Sequence, residues 1–105
     1  MSKSWKDLTT KEVEKKLSSD SSLQLIDVRN PDEYEDGHIP GSKLIPLPEL
    51  PARIHEIDQN REVIFICRSG NRSGKACEYL NQLGYSNLNN MVGGMLAWIG
   101  KQERN

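Results

Sequence analysis

The chain has 105 residues, 28% of them charged and 35% hydrophobic, with a formal net charge of −1 and a pI of about 6.1. That composition excludes a disordered chain and suits one small domain with a single core, expected over residues 1–105. There is no basic excess to suggest nucleic acid, no basic amphipathic helix to suggest a membrane surface, and no apolar run beyond four or five residues to span a bilayer.

The opening stretch MSKSWKDLTT lacks the apolar core of a signal peptide, so the reducing cytoplasm is the expected location. Thr9-Thr10-Lys11-Glu12 reads as a capping box, with Val13 and Leu17 on one face of the helix that follows. The run SSDSS ends that helix. Leu23 to Val28 reads as a short apolar strand. Asn30-Pro31-Asp32-Glu33 starts a second, short helix, with Asn as N-cap and Pro at the first helical position, stopped at Asp36-Gly37. Pro40-Gly41 makes a turn, and Lys43 to Pro46 is expected as a short strand. Pro46, Pro48 and Pro51 are expected to exclude regular structure until Ala52. Beyond them Leu50, Ile54 and Ile57 sit at helical spacing.

Glu62 to Ile66 is a second apolar, β-branched strand. After a polar loop, Ala76, Tyr79, Leu80 and Leu83 recur at helical spacing, and Gly84 stands where a helix C-terminus favours a left-handed residue. Ser86 to Met91 is expected as a further strand, and Gly94 to Lys101 as a last helix carrying Leu96, Trp98 and Ile99. Strands alternate with helices, and apolar strands without polar alternation belong in a mainly parallel sheet with helices on both faces. The expected class is therefore α/β. Sites in such sheets form at the carboxyl ends of the strands, where this chain places Asp27 and Cys67.

The loop CRSGNRSG, Cys67 to Gly74, lies between a strand and a helix N-terminus. Exposed amides at that terminus favour negative charge. Gly70 and Gly74 let the backbone fold tightly, so that successive N–H groups point inward as an anion nest. Arg68 and Arg72 add permanent positive charge. Each feature lowers a thiol pKa, and the thiolate is the nucleophile. A purely structural turn has no use for two arginines and two serines around a thiol. Cys77, within the helical pattern, is expected to be packed. The two cysteines make no disulfide framework and no metal-binding spacing, and no cofactor is called for. The spacing from Cys67 to Arg72 is C-x4-R, one residue shorter than the C-x5-R cradle of cysteine phosphatases. A smaller cradle suits a single transferred atom such as sulfur.

Three segments together resemble the rhodanese-like sulfurtransferase domain. They are DVRNPDEYEDGHIPGS (Asp27 to Ser42), CRSGNRS (Cys67 to Ser73) and VGGMLAWIGKQ (Val92 to Gln102), in the family's order and at its separations. The resemblance implies a covalent cycle. The Cys67 thiolate takes the outer sulfur of a small anionic donor such as thiosulfate, becomes a persulfide, and passes the sulfur to cyanide or a thiol. It implies that the loop residues Arg68, Ser69, Gly70, Asn71, Arg72 and Ser73 bind substrate. The loop amides and the Ser69 and Ser73 hydroxyls would hold the terminal sulfur, and both arginines would attract the donor. His38 is expected to hold a turn rather than act as a general base. Gly93 and Gly94 are expected to permit a close backbone approach, and Trp98 to pack in the core.

Supporting roles at the rim are open for Asp27, which could bond the loop or an arginine or merely cap, and for Arg29, expected to pair with Glu33 or Asp32. Competing functions are a persulfide carrier between a protein donor and a protein acceptor, and a small arsenate reductase or phosphatase, against which the short loop argues. The two arginines favour a dianion over a carboxylate-bearing donor. With no obvious exposed apolar stripe, the chain is expected to be a monomer.

Overall fold

The computed structural model describes residues 4–104. Its sheet has five parallel strands in the order β1-β5-β4-β2-β3: β1 Lys6–Leu8, β2 Gln24–Asp27, β3 Lys43–Leu44, β4 Val63–Ile66 and β5 Leu88–Met91. Four α-helices connect or flank them: α1 Thr10–Ser19, α2 Pro31–Asp36, α3 Asn71–Gln82 and α4 Gly94–Ala97. Two 3-10 segments, Leu47–Glu49 and Pro51–Glu56, precede β4.

The α/β class read from the sequence is the class observed, and the reason is visible in β4. Val63 and Phe65 belong to one buried cluster with Ile26, Leu80 and Ile57. Ile64 and Ile66 belong to a second cluster with Leu25, Val13 and Trp98. Side chains of a strand alternate between faces, so a strand apolar at every position must be covered on both. The first face is covered by α3 and the 3-10 segments, the second by α1 and α4. Helix α1 begins with the expected capping box: the Glu12 amide donates to the Thr9 hydroxyl at 3.1 Å, and the Thr9 amide donates to Glu12 Oε1 at 2.8 Å.

Several elements differ from the sequence reading. Strand β1 was not anticipated; KDL has two exposed residues and offers no apolar run. The prolines do not exclude regular structure, because Pro48 and Pro51 occupy the first turns of 3-10 segments, where the missing N–H has no partner to lose. Helix α4 stops at Ala97, well short of Lys101. Trp98 is buried as expected, but Leu96 is 65% exposed and Ile99 77% exposed. Leu83, assigned to the buried face of α3, is also exposed. No helix among the described residues is long and apolar enough to cross a membrane.

Candidate active site

The topology explains why three separated segments meet. Strands β2, β4 and β5 are neighbours, so their carboxyl ends lie side by side. The chain leaves β2 toward β3 at one edge and leaves β4 toward β5 on the other side. The crevice between β2 and β4 is therefore the switch point at which open α/β sheets form sites. Asp27 ends β2, Cys67 follows β4, and the glycine pair follows β5.

Cys67 is fully buried at the base of its loop, with no solvent-exposed surface. The Gly70 amide donates to Sγ at 3.0 Å, and Ser73 Oγ lies 3.3 Å from Sγ. Gly70 adopts a left-handed conformation, φ +105°, and caps the 12-residue helix α3. That positive φ turns the amide back over the sulfur, a conformation glycine takes without a Cβ clash. Burial opposes ionisation of the thiol and is the largest single influence on it. The Ser73 hydroxyl and the amides of Ser73, Gly70 and Ser69 together outweigh burial, so the thiol lies below its ordinary value.

The two arginines are not equivalent. Arg72 forms a bidentate pair with Glu33 of α2, Nη1–Oε1 2.8 Å and Nη2–Oε2 2.9 Å. The Arg72 guanidinium holds the Glu33 carboxyl down at about 2, against some opposition from burial. Arg68 is exposed on the outer side of the loop, with no ion pair among the described residues. It lines a cleft of about 220 Å³ with Arg29, Glu33, Asp36, Met95 and Leu96. Ser69 and Asn71 are exposed, and Ser69 acts on the sulfur through its backbone amide rather than its hydroxyl.

Asp27 and Arg29 form a buried clamp instead of reaching the loop. Arg29 Nε and Nη2 donate to the Asp27 carboxylate at 2.9 and 2.8 Å, and Nη2 also donates to the Gly37 carbonyl at 2.8 Å. Arg29 thus pairs with Asp27 rather than with Glu33 or Asp32. The clamp ties the end of β2 to the end of α2 and so steadies the helix that carries Glu33. His38 holds its turn as expected: Nδ1 donates to the Tyr34 carbonyl at 2.8 Å, its ring stacks on Tyr34 at 3.7 Å, and its backbone bridges to Glu103.

Gly94 is the close approach between β5 and the loop. Its φ is +59°, and a Cβ there would run into the Arg68 carbonyl. Beside it, the Met95 and Leu96 amides donate to the Cys67 and Arg68 carbonyls at 2.9 and 3.0 Å. The first turn of α4 therefore fixes the far side of the loop. Asn90 of β5 is a contact the sequence reading missed. It is buried, accepts from the Ser73 hydroxyl at 2.5 Å, and donates through Nδ2 to the Gly70 carbonyl at 3.2 Å. No local signal marks it, because its partners Ser73 and Gly70 lie 17 and 20 residues earlier in the chain. Cys77 is buried in the first core cluster, as expected.

The chain is similar to known proteins over most of its length. A family model described as the rhodanese-like domain matches residues 9–101. A sulfurtransferase of Allochromatium vinosum is 37% identical over 92 residues, covering 88% of this chain and 86% of that protein. A Bacillus subtilis protein described as a candidate sulfur carrier, YrkF, is 40% identical over 97 residues, 92% of this chain but 52% of that protein. The crystal structure of a rhodanese-like domain protein from Staphylococcus aureus superposes with a TM-score of 0.88 at 36% identity, covering 95% of this chain and 98% of that one.

Proposed function

The chain belongs to the rhodanese-like domain family, a family of sulfurtransferases and sulfur carriers, and on that premise we propose that it transfers sulfane sulfur through a persulfide on Cys67. The observation that carries the reading is the sulfur's position. Cys67 Sγ sits at the N-terminus of α3, with the Gly70 amide donating to it at 3.0 Å and Ser73 Oγ at 3.3 Å. Such donors stabilise a thiolate and, one bond further out, the negative terminal sulfur of a persulfide.

The thiolate attacks the outer sulfur of thiosulfate. A Cys67 S–S bond forms, the donor's S–S bond breaks, and sulfite leaves with the electron pair. In the second half-reaction cyanide or a thiolate attacks the terminal sulfur, and the Cys67 thiolate returns. Cys67 lies buried at the base of the loop, with the Gly70 amide held on Sγ. Arg68, exposed and without an ion pair among the described residues, draws the donor anion in. Arg72, committed to Glu33, positions the loop and adds field rather than a direct contact. The activity is assigned to this domain in the cytoplasm.

A second reading, sulfur passed between proteins, is favoured by Leu96. It is 65% exposed and lies beside Arg68 in the same cleft, where a protein surface would cover it and thiosulfate would not. The same exposure at Leu96 and Ile99 weakens the basis on which a monomer was expected.

The test is intact-protein mass spectrometry after thiosulfate and again after cyanide. A gain of one sulfur, mapped to Cys67 and lost to cyanide, is expected. Loading from a persulfide-bearing protein but not from thiosulfate would favour the carrier. No loading from either, or full activity in Cys67→Ser, would overturn the sulfur chemistry.

A further inference from the structure

A closed ring of hydrogen bonds surrounds the sulfur, and Asn90 closes it. The ring runs from Cys67 Sγ to Ser73 Oγ (3.3 Å), to Asn90 Oδ1 (2.5 Å), through the amide to Nδ2, to the Gly70 carbonyl (3.2 Å), and from the Gly70 amide back to Sγ (3.0 Å). The direction of each bond follows from chemistry. The Gly70 carbonyl can only accept, and it also receives the Gly74 amide at 3.1 Å. The Asn90 atom facing it must therefore be the NH2 group, which leaves the Asn90 oxygen facing Ser73. That oxygen can only accept, so the Ser73 hydroxyl spends its one proton there. Ser73 Oγ then has only lone pairs to offer the sulfur, and the partner that suits it is a protonated thiol.

We propose that Asn90 is a positioning residue that sets the direction of the Ser73 proton. At rest, Asn90 holds that proton away from the sulfur, and Cys67 is a thiol donating to Ser73. When the sulfur ionises, its proton passes to solvent and the Ser73 hydroxyl rotates to donate to Sγ. The Asn90 oxygen, in a side chain 6% exposed, gives up its donor at that moment. Asn90 thus makes the empty site harder to ionise than it would be with the Ser73 proton already turned to the sulfur, and the swung hydroxyl serves the charged sulfur during transfer. This role rests on the sulfur-transfer reading, but the geometry and its test do not require sulfur transfer.

Charged groups around the loop are the Arg72–Glu33 pair between α3 and α2, Arg68 of the loop itself, the Asp27–Arg29 pair at the end of β2, and Asp7 of β1 with Lys75 and Glu78 of α3, which line a cleft with Gly70 and Asn90. Strands β4 and β5 and helix α4 bring none. All of these groups are present with and without Ser73, so their influence cancels when the effect of changing Asn90 is compared between the two backgrounds.

The experiment is the pH dependence of Cys67 alkylation by iodoacetamide, read by peptide mass spectrometry so that Cys77 is resolved separately. Asn90→Leu removes the acceptor and frees the Ser73 proton for the sulfur. Its alkylation midpoint is expected to fall by about half to one pH unit. In a Ser73→Ala background the same substitution should leave the midpoint unchanged, because no hydroxyl remains to redirect. A loosened loop would shift both backgrounds alike, and that result, or an unmoved or raised midpoint in Asn90→Leu alone, would overturn the proposal. Should Asn90→Leu not fold, Asn90→Asp keeps the shape and binds the Ser73 proton more strongly. Its midpoint must rise, and by more with Ser73 present than with Ser73→Ala; equal rises would overturn the proposal as well.

Discussion

Glu33 and Arg72 lie 39 residues apart in sequence and meet through two parallel hydrogen bonds of 2.8 and 2.9 Å. The pair joins α2, which follows β2, to the first turn of α3, which follows Cys67. Both side chains are partly buried, so solvent screens the pair less than it would a surface bridge. The folded Glu33 carboxyl titrates at about 2, against 4.5 in its ordinary state. A depressed carboxyl contributes stability that is fully present above the unfolded value and is lost as pH falls through the folded one. Discounted for partial exposure, that contribution is about 1–2 kcal/mol. Denaturant unfolding of Glu33→Gln should therefore show lower stability at neutral pH by that amount, with the difference closing between about pH 4.5 and pH 2. A difference that stays constant across that window would remove Glu33 as the acid-sensitive group.

The same pairing separates the two arginines as determinants of donor affinity. A guanidinium already bound to a carboxylate presents little net charge to an incoming anion, whereas Arg68 presents all of its own. Arg68→Ala is expected to raise the KM for thiosulfate roughly tenfold, the scale of a charge-assisted contact, with little change in kcat or melting temperature. Arg72→Ala should also raise KM, but together with a loss of thermal stability from the orphaned Glu33. Equal KM effects with no loss of stability in Arg72→Ala would mean that the pair opens when donor binds.

The sequence made the site legible where local chemistry carries it. The loop announces itself because its glycines, serines and arginines exceed what a turn beside a lone thiol needs, and the Gly93-Gly94 pair marks a close backbone approach, which Gly94 makes beneath Arg68. What was hidden depends on the distant chain. Nothing near Arg72 shows that Glu33 will meet it, and of the partners open to Asp27, the loop or an arginine, only the fold selects Arg29. Strand β1 is held by pairing of Lys6, Asp7 and Leu8 with Asn89, Asn90 and Met91, so its own residues need no apolar pattern. Strand β5 buries two asparagines because the loop and β4 supply their partners. The helix at Gly94 was drawn too long, since Trp98 alone turns into the core and the chain beyond it does not need a helix to place it.

The hydrogen bonds on Cys67 bear on how sulfur loading varies with pH. Burial raises the thiol's pKa, but the Ser73 hydroxyl and the amides of Ser73, Gly70 and Ser69 lower it further than burial raises it. The pH midpoint of persulfide formation from thiosulfate should therefore lie below that of an ordinary cysteine thiol. Ser73→Ala removes one of the lowering contacts and should move the midpoint upward while slowing the rate at neutral pH. A midpoint at or above that of an ordinary thiol in the unaltered protein would mean that burial, not the loop, governs the sulfur.

Gly94 offers a test of how the loop is held from outside. Its φ of +59° is costly for a residue with a Cβ, and that Cβ would meet the carbonyls of Cys67 and Arg68 rather than a side chain able to turn away. The obstruction is backbone, and the same two carbonyls are fixed by the Met95 and Leu96 amides. Gly94→Ala must therefore push the loop off α4 or strain β5, at a cost of about 2–3 kcal/mol. The expected result is a lower melting temperature together with a fall in kcat, since the Gly70 amide can no longer be held over the sulfur. The control is Gly41→Ala, where φ is also positive, at +86°, but nothing lies within 4 Å of the added carbon. That variant should lose stability from backbone strain alone and keep its kcat. If both lost kcat equally, general loosening rather than the contact beneath Arg68 would account for the effect.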